Sequence, residues 1–245
     1  MDSKNDKWNE LWAKSTTPQE HAYIGDEWYN KYSSELMFLL RNAKKIADTG
    51  CGSAEIPVRI APFADYIICL DFSQQMIEKA KLNIDKRQVR NIQLHCDNML
   101  NIDLYVKEKL DAIYNYSVIQ YLDYSQIKLF LNKCYNLLEN EGCLLILDVP
   151  DVSRKDLFSI NFFREEKKIS LNQLIGKLFR HKFNLFKSYI KNPHFIYDLG
   201  IGHWYSKEEF RTLAKECNYN IEFYNPFYKT YEYRFHAKLT KKIDG

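Results

Sequence analysis

A chain of 245 residues is long enough for one large α/β domain, or a core domain with a cap, and marginal for two independent domains. Hydrophobic residues at 46% and charged residues at 27% exclude a disordered or fibrous chain. The net charge of +3 hides an asymmetry: residues 164–191 hold eight Lys/Arg against two Asp/Glu and the remainder is slightly acidic, which argues against a uniformly basic nucleic-acid binder.

No apolar run approaches the roughly 18 residues a membrane span needs, and the first ten residues are polar, without an apolar signal segment. The expected location is therefore cytoplasmic, peripheral at the inner membrane face if the basic segment docks there. The six cysteines show no CxxC spacing and no histidine at metal-ligand intervals, so neither a disulfide scaffold nor a zinc site is expected. Cys69, Cys96 and Cys143 sit in apolar runs and are expected to be buried thiols.

In chain order, short β-rich runs at 45–48, 66–71, 92–96, 112–116 and 143–149 alternate with helical patterns at 54–61, 73–84 and 126–139. This alternation predicts βαβ units and a mainly parallel sheet. In the third helical pattern Ile127, Phe130, Leu131, Cys134, Leu137 and Leu138 recur at helical spacing, and Glu141-Gly142 reads as its stop. After Pro150 the pattern breaks for about fifty residues. Then 206–217 reads as a helix with Ser206 and Glu209 as a capping box, followed by two strands at 221–224 and 231–239, joined near Asn225-Pro226 and expected to pair antiparallel.

The segment Asp48-Thr49-Gly50-Cys51-Gly52-Ser53-Ala54 follows the first strand and opens the first helix. Glycines there let the backbone turn sharply and approach a ligand. A dinucleotide fingerprint would place its third glycine at position 55, where this chain has Glu55; its bulk and charge disfavour a pyrophosphate. Asp71 ends the second strand, 19 residues past Gly52 and near the spacing at which an acidic side chain accepts ribose hydroxyls. Cys96-Asp97-Asn98 follows the third strand, and 111–122 supplies the fourth strand and its loop.

These motifs, in this order over residues 44–149, resemble those of class I S-adenosylmethionine-dependent methyltransferases, and more loosely bacterial members that modify small molecules and glycans. The resemblance implies a Rossmann-like α/β sandwich: a mostly parallel seven-stranded sheet with a C-terminal antiparallel hairpin and a helical cap insertion. It implies one domain, with an N-terminal helical cap segment (1–43), a cofactor-binding core (44–150), a cap insertion (151–205) and a final helix and hairpin (206–245). It implies S-adenosyl-L-methionine as cofactor, held by Asp48, Gly50, Cys51, Gly52, Asp71, Phe72, Met76, Asp97, Asn98 and Asn115, with Asp97-Asn98 toward the adenine amino group. The cofactor's net positive charge suits Asp48, Asp71 and Asp97 at successive strand ends, where phosphates would be repelled. Ala54 replaces the third glycine, a change expected to matter little, and Gln120-Tyr121 stands where many relatives carry histidines.

A hydroxyl acceptor benefits from a general base. Catalytic candidates are His203 between glycine and tryptophan, His21 and Tyr23 before Gly25, and Tyr116 at the end of the fourth strand; His194 is weaker. Trp28, Tyr32, Leu36 and Leu39-Leu40 read as the core stripe of a helix. Arg234 and His236 share one face of the last strand, which is as readily solvent-facing as functional. Within 164–191, apolar residues at helical spacing with interspersed Lys/Arg make a basic amphipath, read as a lid helix or as a docking surface for an anionic membrane.

The chain lacks an Asn/Asp-Pro-Pro-Tyr motif and a Pro-Cys pair, so nucleic acid is not the expected substrate. The expected activity is O-methylation of a small or lipid-linked acceptor, foremost a sugar, or its phosphate substituent, in a cell-surface glycan or its precursor. The alternatives are a quinone or other small-metabolite methyltransferase, and a non-catalytic module that keeps the cofactor pocket.

Overall fold

The computed structural model describes residues 25–158, 175–176, 179, 183, 202–226 and 233–242, and the backbone alone at 196–198. His21, Tyr23 and His194 lie outside the described residues, as does all of the basic segment except Ile175, Gly176, Phe179 and Phe183. Those four are helical, and Ile175, Phe179 and Phe183 are exposed. Among the described residues no helix is long and apolar enough to cross a membrane.

The elements are α1 (Asp26–Leu40), β1 (Lys45–Thr49), α2 (Pro57–Ile60), β2 (Tyr66–Asp71), α3 (Gln74–Arg87), β3 (Ile92–Cys96), β4 (Leu110–Tyr116), α4 (Tyr124–Leu137), β5 (Leu138–Pro150), β6 (Ile196–Asp198), β7 (Gly202–Trp204), α5 (Lys207–Glu216), β8 (Tyr219–Tyr224) and β9 (Arg234–Lys241). Seven strands hydrogen-bond in the order β3-β2-β1-β4-β5-β9-β8, and β6 and β7 form a separate antiparallel pair. β1 runs parallel to β2 and β4, β2 parallel to β3, and β8 antiparallel to β9. This is the mostly parallel sheet with a terminal hairpin that the sequence predicts.

Among the described residues the chain divides into two compact units: one of residues up to 116 with 132–145, the other of 117–131 with 146–242. In the first unit β1, β2 and β4 are apolar on both faces, and Ala47, Ile67, Leu70, Ala112 and Ile113 are fully buried. Helix α1 buries Trp28, Tyr32, Leu36, Leu39 and Leu40, the stripe expected of it. The strand order reverses between β1 and β4, so the carboxyl ends of these strands are where such a sheet opens a crevice.

In the second unit the capping box of α5 is present in both directions: Ser206 Oγ accepts from Glu209 N–H at 3.1 Å, and Glu209 accepts from Ser206 N–H at 2.6 Å. Tyr205, fully buried, donates its hydroxyl to the carbonyls of Ile119 and Leu122 at 3.2 and 3.0 Å, tying β7 to the turn after β4.

Several local expectations are corrected. Gly142 does not stop a helix: α4 ends at Leu137 and Gly142 lies within β5, where a Cβ would come within 3.0 Å of the Glu139 and Leu110 carbonyl oxygens. Cys96 is exposed, because β3 ends the sheet order and its burial is partial along its length. The strands β6 and β7 went unanticipated, being three residues each and too short for alternation to register. His236 is buried and Arg234 largely so, which removes the solvent-facing alternative.

Gly202 has φ +95°, and a Cβ there would sit 2.6 Å from the Gln120 carbonyl oxygen. Gly202→Ala should therefore cost about 3 kcal/mol in urea unfolding, from left-handed strain plus backbone overlap. A loss below about 1 kcal/mol would contradict this packing of β7.

Candidate functional site

The site is built at the carboxyl ends of β1, β2 and β4, within the first unit. Gly50 and Gly52 take φ +102° and +54°, the left-handed region that glycine enters at little cost. The loop is anchored to β2, with Gly50 and Cys51 N–H both donating to the Leu70 carbonyl, at 2.7 and 3.0 Å. No atom of the described residues lies within 4 Å of where a Cβ on Gly52 would be, so among them the loop presents bare backbone. Ala54 also takes a positive φ, +58°, and its methyl is buried against Val58 and Ala80. The two effects nearly cancel, left-handed strain of about 1 kcal/mol against a buried methyl worth about 0.8 kcal/mol, so the replacement changes stability little.

Asp71, at the tip of β2, pins this loop. Its carboxylate accepts from Gly52 N–H at 2.8 Å and from Ser73 N–H at 2.9 Å. Burial raises its pKa, and these two N–H groups oppose the rise. Ser73 then caps α3 by accepting from Met76 N–H, and Met76 itself is buried in the core. Phe72, the next residue along, is exposed.

Asp48 ends β1 at 2% exposure, in register with Cys69 on β2 and Tyr114 on β4. Burial pushes its pKa up to about 8; the nearby Tyr114 hydroxyl pulls it down and the Asp71 carboxylate adds to the rise. Tyr114 faces Asp48 without closing a well-formed hydrogen bond, and Asp48 Oδ1, the Tyr114 hydroxyl and both amide atoms of Asn115 are buried without partners among the described residues. Such groups cost about 1–3 kcal/mol each when left unsatisfied. Asp48 and Tyr114 meet in register at the strand crevice, with Asn115 the next residue along β4, and such a place is one where a ligand completes the hydrogen bonding.

Asp97 is engaged within its own turn. Oδ1 accepts from Asn98 N–H at 2.7 Å and the Asn101 amide at 2.9 Å, and Oδ2 accepts from the Tyr105 hydroxyl at 2.7 Å. Burial works against ionisation, but these donors outweigh it and hold the carboxyl below its usual range. Asn98 accepts from Leu100 N–H to start the following turn. Cys51 is buried, its thiol pushed well up by contact with Cys69 and by burial, so it is unreactive packing within the loop.

Glu55 pairs with Arg59 at 2.5 Å and accepts from the Asn83 amide at 3.1 Å, while Arg59 also reaches Asp26 and Asn30 of α1. The Glu55 charge is therefore compensated, and repulsion of a pyrophosphate falls to Asp71. The Tyr116 ring packs 4.2 Å from Tyr32 and 5.5 Å from Trp28, centroid to centroid, whose own rings stack 5.1 Å apart. The second unit holds His203, buried on β7. Sequence reasoning missed Tyr114; the signal is its register with Asp48, invisible until β1 and β4 are known to be neighbours.

The arrangement suits a cationic, hydroxylated ligand. Asp48 and Asn115 offer acceptors to an ammonium, Asp71 retains lone pairs for hydroxyls, and the bare Gly50–Gly52 backbone allows close approach.

A family profile described as a methyltransferase domain matches residues 46–142. A protein of Geobacillus sp. (strain WCH70) named as a methyltransferase is 27% identical over 132 residues, which cover 54% of this chain and 53% of that one; the chain thus matches about half the length of this curated relative. Among solved structures, the N-methyltransferase NodS from Bradyrhizobium japonicum WM9, in complex with S-adenosyl-L-homocysteine, has a TM-score of 0.62 at 13% identity, covering 96% of this chain and 97% of that one. An S-adenosylmethionine-dependent methyltransferase from Clostridium acetobutylicum ATCC 824 gives 0.60 at 12% identity, covering 97% and 98%. Magnesium protoporphyrin IX methyltransferase from Synechocystis PCC 6803 gives 0.58 at 12%, covering 98% and 95%. At these identities the likeness establishes a shared fold.

The raised Asp48 pKa sets a pH dependence. Folded protein keeps a proton up to about pH 8 that the unfolded chain releases above about 4, so stability falls as pH rises across that window. The slope from this one group is at most about 1.4 kcal/mol per pH unit. Asp48→Asn should flatten urea-unfolding stability between pH 5 and 8 relative to wild type, and an unchanged slope would contradict a buried, protonated Asp48.

Proposed function

We propose that this protein is a class I S-adenosylmethionine-dependent methyltransferase that transfers a methyl group to an oxygen of a small or lipid-linked acceptor, foremost a sugar of a cell-surface glycan or its precursor; the methyltransferase-domain match over residues 46–142 supports the class. The observation that carries the cofactor half is the glycine loop pinned by Asp71 beside the unpartnered buried atoms of Asp48 and Asn115. Bound S-adenosylmethionine supplies an electrophilic methyl on its sulfonium and an ammonium that would pair with Asp48. Ionised Asp48 pairs with that ammonium, so binding near pH 7 releases a proton from the carboxyl. Asp71 receives the ribose hydroxyls while its Gly52 bond fixes the loop.

Displacement at a sulfonium carbon asks the protein mainly to align acceptor and methyl within about 3–3.5 Å. An oxygen acceptor also needs a proton removed. In this reading His203 is the acceptor of that proton. What supports it is position within the second unit: β7 packs through Gly202 on the Gln120 backbone, and Tyr205 bonds to the same turn, so His203 stands beside the segment where relatives carry histidines and this chain has Gln120-Tyr121. An imidazole titrates near neutrality and suits that task.

The test is transfer of radiolabelled methyl from S-adenosylmethionine into a cell-envelope extract. His203→Ala should lower turnover about 10²- to 10⁴-fold with S-adenosylhomocysteine affinity unchanged. Unchanged turnover in that variant would remove His203 as base, and an absence of any incorporation by folded protein would remove the glycan acceptor.

A further inference from the structure

The second unit contains a buried polar cluster that the cofactor half does not use. Ser117, immediately after β4, and Asp148, within β5, both take left-handed backbone, φ +54° and +61°, although neither is glycine. Each costs on the order of 1 kcal/mol and persists only where surrounding bonds over-determine it. Those bonds are present. Ser117 N–H donates to the Leu147 carbonyl at 3.1 Å, and Ser117 Oγ donates to Asp148 Oδ2. Asp148 N–H donates to His236 Nδ1 at 2.9 Å. From β9, Arg234 Nη1 reaches the Asp148 carbonyl at 2.8 Å, Asp148 Oδ2 at 3.1 Å and Gln120 Oε1 at 2.9 Å.

Two groups of this cluster lack partners among the described residues. Asp148 is 2% exposed, its N–H, carbonyl and Oδ2 are all bonded, and Oδ1 is buried with no partner among the described residues. Arg234 spends Nη1 three times, while Nε and Nη2 make no hydrogen bond among the described residues, and its side chain is 18% exposed. A buried carboxylate oxygen left unsatisfied is costly, so its retention needs an account.

We propose that Asp148 and Arg234 form a recognition pair for adjacent hydroxyl groups of a neutral, polyhydroxylated acceptor. The pair carries one negative and one positive charge, so the completing ligand is neutral: an anion meets the Asp148 carboxylate and a cation meets the guanidinium. One hydroxyl of a vicinal diol donates to Oδ1, and its neighbour accepts from Nη2 or Nε. Ser117 and Arg234 hold the carboxyl through Oδ2, which fixes Oδ1 as the oxygen left to the ligand. Gln120, held by the same Nη1, keeps the turn after β4 in register with the pair. The assignment deepens the acceptor reading above and rests on it for its part in methyl transfer, but diol binding itself needs no cofactor.

The test is saturation-transfer NMR on the full chain, with and without S-adenosylhomocysteine, using methyl α-D-mannopyranoside, tetrahydropyran and inorganic phosphate as probes. The glycoside should show transfer and tetrahydropyran none. Arg234→Gln should reduce glycoside transfer at least tenfold. Asp148→Asn, which strands the guanidinium charge, should weaken the glycoside and let phosphate compete. Glycoside transfer that is absent in wild type, or unmoved in both variants, overturns the pair, as does phosphate competing in wild type. Glycoside transfer that depends on Arg234 supports the pair whether or not S-adenosylhomocysteine binds, whereas a folded wild type that fails to bind S-adenosylhomocysteine counts against the cofactor reading alone.

Discussion

A carboxyl taken out of water without a full set of donors is unstable as an anion, and Asp48 is held in that condition at the end of β1. The sheet imposes it: the register places Asp48 between Cys69 and Tyr114, with no cation beside it among the described residues. The protein responds by keeping the proton. A cationic ligand repairs that defect, and the stability given up in the free protein becomes selectivity for that ligand.

Asp71 performs the complementary task. Where Asp48 waits for charge, Asp71 is already satisfied by two backbone N–H groups and so fixes the shape of the glycine loop before any ligand arrives. Helix α1 steadies the same region through Arg59, which joins Asp26 to Glu55, and through the Trp28–Tyr32–Tyr116 rings. The second unit shows the same economy in a different cluster, with strained Ser117 and Asp148 locked by Arg234.

Much of the cofactor side was legible from sequence because its determinants are local. Gly50, Gly52 and Asp71 act through backbone conformation and a spacing of 19 residues, both visible in the letters. The capping box at Ser206 and Glu209 is local for the same reason. What stayed hidden depends on long-range register. Tyr114 matters because β1 and β4 are neighbours; Arg234 and Asp148 meet from positions 86 residues apart. Period-2 alternation gave Arg234 and His236 a common face but not which face was buried. Gly142 shows a further limit: a glycine demanded by close approach looks like a helix stop.

The central claim is that the crevice at β1 and β4 receives a sulfonium nucleoside and refuses a pyrophosphate. Calorimetric titration of the folded protein with S-adenosylhomocysteine and, side by side, with NADH tests it most directly. Saturable heat with the first and none with the second is the predicted outcome. Uptake of NADH with no response to S-adenosylhomocysteine would contradict the account at its base.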